Sequence, residues 1–409
     1  YLTTKTADIG AAATVALNLG GLIPTDPTAD WSSVNLYNLA GATTWPITMI
    51  SYFYLEKDLS GMDAQTAALV VAFVKFVLSA EGQEKAEEKL FVKLPTEMQT
   101  YNTATLDSLT LPAGYAALSV ELVSDTLVEV GAGMNVLSGK RRDYGEWDRD
   151  RMEAQIEKQA SVVGVQMLHG AGTTNPSKLF WELLGLMTAR ARFPVHATYR
   201  AVGSSTGQKE FLGASNGNKA LNHFGAGDIP MSADRYNAVV AASRTMVHVP
   251  FALGGIGVFH SAPVGGASVH LTACVLAKIF SAQITTWDHD DIKALNADVT
   301  LPSLPIKVVH RVKGSSSTAG FTAYMLATCP ADWTLGTGST ITWPAGTFEG
   351  QGSDGMSTFI EENEGAIGYI DAGHGHEHGL SEVALKNKDG VYLTTKTADI
   401  GAAATVALN

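Results

Sequence analysis

The stretch VVGVQML (residues 162–168) is followed by TNPSKLFWELLGLM (174–187) and then by VHATYRAV (195–202). The first and third stretches are short and rich in β-branched and apolar residues, whereas the second has the spacing of an amphipathic helix. The same alternation continues to residue 391. This pattern predicts an α/β fold with a mostly parallel sheet, in which ligands lie at the carboxyl ends of strands beside helix N-termini.

The length and composition narrow the class of protein. The chain has 409 residues, enough for two or three compact units, and its 45% hydrophobic and 17% charged residues are typical of a globular chain. Its net charge of −12 argues against nucleic-acid binding, which needs a basic surface. A small anion is still an acceptable ligand, because backbone amides and one or two local cations can hold it.

Two further features bear on location. The longest apolar run, 67–80, contains Lys75 and is too short to span a bilayer. The only two cysteines are Cys274 and Cys329. They can form one bridge in an exported protein or remain buried thiols, and the sequence does not give the separation that decides between these states.

A long repeat marks the two ends of the sequence. Residues 1–18, YLTTKTADIGAAATVALN, recur unchanged at 392–409, an offset of 391 residues (392 less 1). We expect a tandem array of modules of this length, of which the chain is a window that starts partway through one module. The alternative is an engineered duplication.

Residues 1–110 and 111–163 differ in character. The first segment contains a strand-like run, TWPITMISYFYL at 44–55, and then a long amphipathic helix for which Asp63 is the expected N-cap. The second has an apolar stretch followed by a charged run at 139–159, which is most simply a solvated helix. We interpret 111–163 as a connector between modules.

Three loops rich in glycine, serine and threonine stand where strands give way to helices, at 169–180, 202–211 and 310–325. Small residues let the backbone approach a ligand, and the following helix offers unpaired N–H groups. Only the third has an arginine, Arg311, which can grip a tetrahedral oxyanion through two parallel hydrogen bonds. Each loop by itself is better explained by plain helix capping, and only the three together with one arginine favour an anion site; none has P-loop spacing.

A fourth loop, HFGAGDIPMS at 223–232, adds a carboxylate, Asp228. A carboxylate beside an anion is favourable if the ligand still bears a proton, as hydrogen phosphate does and sulfate does not. The other interpretation is that Asp228 caps a turn before Pro230. The residues alone leave both interpretations open.

These loops and other segments resemble the periplasmic phosphate-binding proteins of ABC-type phosphate uptake. The similar segments follow the order of that family: GAGTTNPSKLFWELL (170–184), VGSSTGQKEF (202–211), FGAGDIPMS (224–232), FALGGIGVFHSAP (251–263), LAKIFSAQITTWDHDDIKALN (276–296), VVHRVKGSSSTAGFTAYM (308–325), GTGSTITWPAG (336–346) and EGAIGYI (364–370). The segment ADWSSVNL (29–36) with TWPIT (44–48) resembles a later part of the family, yet here it comes first.

The resemblance implies a two-lobed fold with a ligand cleft between the lobes, in an order that is permuted within this window. It implies that 1–110 is the C-terminal portion of a module, and that 164–409 begins the next one, with a crossing between lobes near 251–258. Two arrangements remain open. The early segment completes the preceding module, or it folds back on the later segment as in a circular permutant.

The resemblance also implies which residues contact phosphate, with no catalysis and no cofactor. They are Thr174, the Asn175 amide, Ser204, Asp228, Arg311, Ser315, Ser316 and Ser317. Asn175 stands where the family usually has phenylalanine, which a backbone contact tolerates. Lys313 stands where the family usually has an aspartate that pairs with the arginine, so affinity and selectivity are expected to differ.

The resemblance leaves alternative functions to weigh. The module can be a structural unit of an extracellular tandem array or filament, with neighbouring copies as partners, and phosphoester hydrolysis is a weaker option. His374, His376 and His378 suggest a metal site or an ordinary polar turn, and the turn is favoured. The expected location is periplasmic, extracellular or at the cell surface, and service to an ABC transporter is unproven. Trp45, Trp287 and Trp343 are expected in the core.

Overall fold

The structure, a computed structural model, describes residues 23–120, 135–137, 164–191 and 193–396. Its strands are β1 (Leu36–Tyr37), β2 (Ile47–Glu56), β3 (Leu118–Val120), β4 (Asn135–Leu137), β5 (Gln166–Gly172), β6 (Val195–Ala201), β7 (Phe224–Gly227), β8 (Met246–His260), β9 (His270–Leu271), β10 (Lys307–Arg311), β11 (Phe348–Gly350), β12 (Ala366–Asp371), β13 (Ser381–Glu382), β14 (Ala384–Lys386) and β15 (Tyr392–Leu393). Its helices are α1 (Ala64–Leu78), α2 (Ala80–Glu88), α3 (Thr96–Asp107), α4 (Ser177–Arg190), α5 (Ser204–Leu212), α6 (Ala233–Ala241), α7 (Ala273–Phe280), α8 (Asp290–Lys293), α9 (Ser316–Thr328), α10 (Gly352–Glu362) and α11 (Ala372–Glu377).

One large sheet runs through the molecule in the order β11-β10-β12-β8-β2-β7-β5-β6, with β1 added to β2 and β13 to β8. The trio β7-β5-β6 is parallel, and so is the trio β11-β10-β12. We call the first trio and its helices the first lobe, and the second trio and its helices the second lobe. The α/β fold class is confirmed.

The centre of the sheet is antiparallel, which the expectation of a mostly parallel sheet missed. Strand β8 pairs antiparallel with β12 and with β2, and β2 pairs antiparallel with β7. β8 is 15 residues long and buried throughout. It contains the predicted crossing near 251–258, and two long strands that pass between lobes in opposite directions must pair antiparallel.

The early segment of the chain supplies the central strand β2. All but the last of its ten residues are buried, because neighbours on both edges and both faces cover it. In this chain the early segment therefore folds back onto the later one. The division at residues 110 and 163 stays a prediction, and both the charged run 139–159 and the repeat 1–18 lie outside the described residues.

Aromatic side chains fill the core of each lobe. In the first, the Phe53 ring lies 4.7 Å from that of Phe251 and 5.3 Å from that of Phe180. In the second, Phe321 and Tyr369 stack with ring centres 4.5 Å apart. Of the three predicted core tryptophans, Trp45 and Trp287 are fully buried, and Trp343 packs against the core while partly exposed.

Two local features follow from the sequence. Asp63 caps α1 as predicted, because its Oδ1 accepts from the backbone N–H groups of Gln65 and Thr66. Cys274 and Cys329 form a disulfide, with Cα atoms 5.2 Å apart, that ties α7 to the end of α9. The bridge closes a loop of 55 residues, which by chain entropy is worth about 4 kcal/mol.

Among the described helices, none alone has the length and apolarity to cross a membrane. The pair α1 and α2, bent by 62° at their junction, passes that test jointly on length and composition. Ten of the fifteen residues of α1 are buried inside the protein, which accounts for its apolar composition.

Candidate functional site

Side chains from three other parts of the fold meet at the carboxylate of Asp228, which follows directly after β7. Asp228 Oδ1 accepts from Ser51 Oγ at 2.7 Å, and Oδ2 accepts from Asn175 Nδ2 and from Ser316 Oγ, each at 2.9 Å. The Thr173 hydroxyl also donates to Oδ2. Ser51 lies in β2, Thr173 and Asn175 lie in the loop after β5, and Ser316 lies at the start of α9. The carboxylate is therefore hydrogen-bonded to side chains of both lobes.

Burial of Asp228 disfavours the ionised form of its carboxyl group. The side chain is 2% exposed, and burial raises its pKa to about 6, while the hydroxyls of Thr173, Ser51 and Ser316 act in the lowering direction. The nearby Asp371 raises the pKa slightly further. At neutral pH Asp228 is therefore mainly an ionised acceptor, although only a modest change of surroundings would protonate it.

The guanidinium of Arg311 lies across the cleft at the end of β10. Its Nη2 donates to Thr174 Oγ1 at 3.1 Å and its Nη1 to Ser353 Oγ at 3.4 Å. Arg311 is 7% exposed, and burial lowers its pKa. Within the described residues no carboxylate lies within 4.0 Å of this guanidinium, so its side-chain hydrogen-bond partners are neutral hydroxyls, while the carboxylates of Asp228, Asp354 and Asp371 favour its charge from farther away.

Helix N-termini surround the space between these charges. Helices α4, α5, α9 and α10 all begin in the converging loops. Their first N–H groups have no partner within the helix and favour an anion. At α9, the Ser315 hydroxyl accepts from Ser317 N, whereas the buried Ser317 Oγ has no hydrogen-bond partner among the described residues. A buried hydroxyl left unpaired is costly, so this Oγ is a candidate donor to a ligand.

Glycines let the two lobes come together beside this space. Gly203 precedes α5 with φ of 89°, and a Cβ there would lie 2.8 Å from the carbonyl oxygen of Gly314 in the other lobe. A larger residue would be strained at this φ and would push the lobes apart. The paired glycines thus allow the closed cleft.

The structure brings the predicted site residues together. Asn175, Ser204, Asp228, Arg311, Ser315, Ser316 and Ser317 are buried and Thr174 is partly buried. Ser204 Oγ accepts from Asp228 N at 3.4 Å. Asn175 differs from the expectation, because its side chain as well as its backbone faces the site. Lys313 is exposed, so it adds no charge inside the cleft.

Four site residues were missed from the sequence: Ser51, Thr173, Ser353 and Tyr369, whose hydroxyl contacts Thr318 Oγ1 at 2.7 Å and accepts from Arg311 N at 3.4 Å. Ser353 lies in GQGSDG at 350–355, a glycine-serine loop before a helix like the three that were noticed. Ser51 is a polar residue in the middle of a mainly apolar strand, which was the available signal.

The three histidines do not share a site. His374 Nδ1 contacts Asp371, His376 Nε2 contacts Thr395 and His378 Nδ1 contacts Glu361. The described residues hold one group of three possible ligand atoms within 4.8 Å of one another, from Cys274, Cys329 and Asp332. Its two sulfurs are joined in the disulfide, which removes the thiolates that would bind a metal.

Comparison with known proteins gives a family model, related sequences and solved structures that resemble this chain. A family model described as a PBP superfamily domain matches residues 140–409. The phosphate-binding protein PstS of Pasteurella multocida is 29% identical over 248 residues, 60% of this chain and 68% of that protein. PstS of Haemophilus influenzae is 29% identical over 238 residues, 58% of this chain and 67% of that protein.

Solved structures match over similar lengths. A putative phosphate ABC transporter substrate-binding protein from Clostridium perfringens, solved with bound phosphate, is 17% identical. The match covers 55% of this chain and 77% of that one, with a TM-score of 0.39.

Proposed function

Because the chain belongs to the PBP superfamily, we propose that it binds inorganic phosphate, as hydrogen phosphate, in the cleft between its lobes, and that it catalyses no reaction. The resemblance seen in the sequence motifs is confirmed at the level of the family. The observation that carries the proposal is the charge of Arg311, which is buried without a carboxylate within 4.0 Å among the described residues. Such a cation is stable only with an anionic partner, and a ligand supplies it.

Each group has a chemical role in this proposal. Arg311 offers parallel N–H donors to two phosphate oxygens. The Ser317 hydroxyl, unpaired in the protein, donates to another, and the N-termini of α4, α5 and α9 add backbone donors. Asp228 accepts the remaining proton of hydrogen phosphate. Sulfate has no proton to give and would face a like charge.

The serines of these loops act as donors in this proposal and not as nucleophiles. Ser316 donates to Asp228 and Ser315 caps α9. Among the described residues no histidine forms a hydrogen bond with a serine of these loops, so the histidine base of a Ser-His hydrolase is not beside them, and Asp228, which accepts from Ser316, also accepts from three other donors. This supports binding over phosphoester hydrolysis.

The location and transport role are part of the same proposal. The relatives in Pasteurella multocida and Haemophilus influenzae are named phosphate-binding proteins, and the sequence motifs resemble those of the periplasmic proteins of ABC-type phosphate uptake. The disulfide between Cys274 and Cys329 is typical of an oxidising compartment. We infer a place outside the cytoplasmic membrane, where the protein delivers phosphate to a transporter.

Titration calorimetry on protein stripped of ligand tests the proposal. We expect heat with phosphate and at least about a hundredfold weaker binding of sulfate at neutral pH. Absence of heat with both anions would refute phosphate binding. A stopped-flow assay with a phosphate ester as ligand addresses catalysis, since release of phosphate from the ester would contradict the non-catalytic part.

The unchanged recurrence of residues 1–18 at 392–409 favours a second role, in which the module is a unit of an extracellular tandem array or filament. The two roles are compatible, because an array can keep its binding clefts. Electron microscopy of the native material discriminates between them. Ordered contacts between neighbouring copies support the filament, and separate modules on flexible linkers exclude it.

A further inference from the structure

The side chain of Asn175 joins the two lobes inside the site. Its Nδ2 donates to Asp228 Oδ2 at 2.9 Å, and its Oδ1 accepts from Ser353 Oγ at 3.1 Å. The orientation of the carboxamide follows from these partners, because an ionised carboxylate only accepts and the nitrogen must face it. Asn175 is 3% exposed, so both ends of the amide are committed within the protein.

Ser353 extends this connection to the cation. Arg311 Nη1 donates to Ser353 Oγ at 3.4 Å, while Ser353 donates to Asn175. A continuous series of hydrogen bonds therefore runs from Asp228 in the first lobe, through Asn175 and Ser353, to Arg311 in the second. The two opposite charges of the site are linked by neutral side chains and not by direct contact.

The donors to Asp228 differ in their freedom. Ser51, Thr173 and Ser316 donate through hydroxyl protons, which rotate about the C–O bond and can turn to a bound anion. The amide N–H of Asn175 is planar and is fixed by the bond from Ser353 to its oxygen. When an anion recruits the hydroxyls, Asn175 is the donor that stays on the carboxylate.

We propose that the Asn175 carboxamide is a specificity-determining group, which holds Asp228 as an ionised acceptor so that the cleft takes a tetrahedral anion bearing a proton and refuses one that bears none. This inference rests on the proposed function and adds to it the group that maintains the state of the carboxylate. Asn175 is a positioning residue here, acting through Asp228.

Other charged and titratable groups face Asp228 from every side. They are Tyr37 from β1, Tyr54 from β2, Tyr199 from β6, Arg311 from β10 and Asp371 from β12. Burial raises the pKa of each of these tyrosines, so they stay neutral. Arg311 favours the ionised carboxylate and Asp371 opposes it, and Asn175 adds a donor that does not titrate.

Sulfate is the probe for this inference, because it has no proton to lose or gain across roughly pH 5 to 8. Its binding requires a protonated Asp228, which can donate to it, so sulfate affinity should rise as pH falls through the pKa of Asp228. Calorimetric titration with sulfate and with phosphate over that range, on the ligand-stripped chain, gives the sulfate midpoint and the preference for phosphate.

Two variants remove the donor and one matched variant keeps it. Asn175→Leu lacks both amide groups, and Asn175→Asp keeps the shape but replaces the donor with a second acceptor. We expect both to move the sulfate midpoint upward by about one pH unit or more and to lower the preference for phosphate about tenfold. Ser353→Ala removes only the hydroxyl between Asn175 and Arg311. Because Ser353 also holds the Asn175 oxygen, this variant should shift the sulfate midpoint and the preference for phosphate in the same direction as the two Asn175 variants, but by less.

The outcomes separate the two proposals. Failure of the unaltered chain to bind either anion overturns the proposed function and this inference together. If the unaltered chain binds phosphate and the Asn175 variants have the same sulfate midpoint and the same preference for phosphate as that chain, only this inference is overturned. The inference is also overturned if Ser353→Ala shifts the sulfate midpoint and the preference for phosphate as much as the Asn175 variants do. Thermal unfolding confirms that each variant folds, and the isosteric Asn175→Asp decides the matter if the leucine variant does not.

Discussion

Asp228 and Arg311 are the two buried charges of the cleft, and their surroundings differ. Asp228 has four side-chain donors and needs no ligand to be satisfied, whereas Arg311 has two neutral hydroxyl partners. In the first lobe the carboxylate of Asp228 already has hydrogen-bond donors from the protein, whereas in the second lobe the guanidinium of Arg311 has no carboxylate within 4.0 Å among the described residues. From this difference we expect affinity to arise mainly at Arg311 and discrimination between anions at Asp228.

The largest effect is expected on replacing Arg311 with methionine, Arg311→Met. Phosphate affinity should fall by at least about a hundredfold, yet the stability of the protein without phosphate should change little, because a buried charge is removed and no carboxylate within 4.0 Å loses a partner. Calorimetry gives the affinity and thermal unfolding the stability.

Arg190 is the matched control for that prediction. It is 4% exposed and bonds Glu81 through two nitrogens, at 2.9 and 2.6 Å. Arg190→Met should lower the free energy of unfolding by about 3–5 kcal/mol, because it leaves the carboxylate of Glu81 without its cationic partner. Equal destabilisation by the two variants would contradict the view that Arg311 is unpaired.

The second effect concerns the pH dependence of stability. The pKa of Asp228 is raised in the folded protein to about 6, from 3.8. Its contribution to stability is therefore present below the unfolded value and is lost as pH rises through about 6, a change of roughly 2–3 kcal/mol. The stability of the original chain relative to Asp228→Asn should fall by that amount from acid to neutral pH in urea unfolding. A difference independent of pH would show that Asp228 is not strained by burial.

A third, smaller effect separates neighbouring serines of α9. Ser317 Oγ has no hydrogen-bond partner within the part of the chain that the structure describes, so Ser317→Ala should leave stability within about 0.5 kcal/mol while weakening phosphate binding about tenfold. Ser316 donates to Asp228, and Ser316→Ala should cost about 1 kcal/mol of stability as well. Loss of stability from the alanine at 317 would mean that its hydroxyl has a protein partner.

The smallest effect is expected from the ion pair between Lys178 and Glu377, which joins the lobes at 2.5 Å with the carboxylate more than half exposed. Lys178→Gln should change phosphate affinity by less than about threefold, and less still in high salt, because solvent screens such pairs. The control, Lys278→Gln, breaks the pair with Asp291 inside the second lobe and should leave affinity unchanged. A larger loss from the first variant would make closure depend on this surface contact.

The sequence revealed those parts of the site that are local in the chain. Helices α5 and α9 begin where hydroxyl-rich loops precede apolar spacing, and Arg311 and Asp228 stand out as charges within such loops. The contact between Ser51 and Asp228 could not be foreseen, because it spans 177 residues and depends on β2 lying beside β7. The antiparallel centre of the sheet and the pairing of the cysteines were hidden for the same reason, since each is decided by tertiary proximity.

The position of β2 has a consequence for the order of events during synthesis. This buried strand leaves the ribosome about 170 residues before its partners β7 and β8. At typical elongation rates it waits on the order of ten seconds as an apolar segment with two open edges. Such a segment is a site for association with other nascent chains, so yield in expression should depend on a chaperone that covers it.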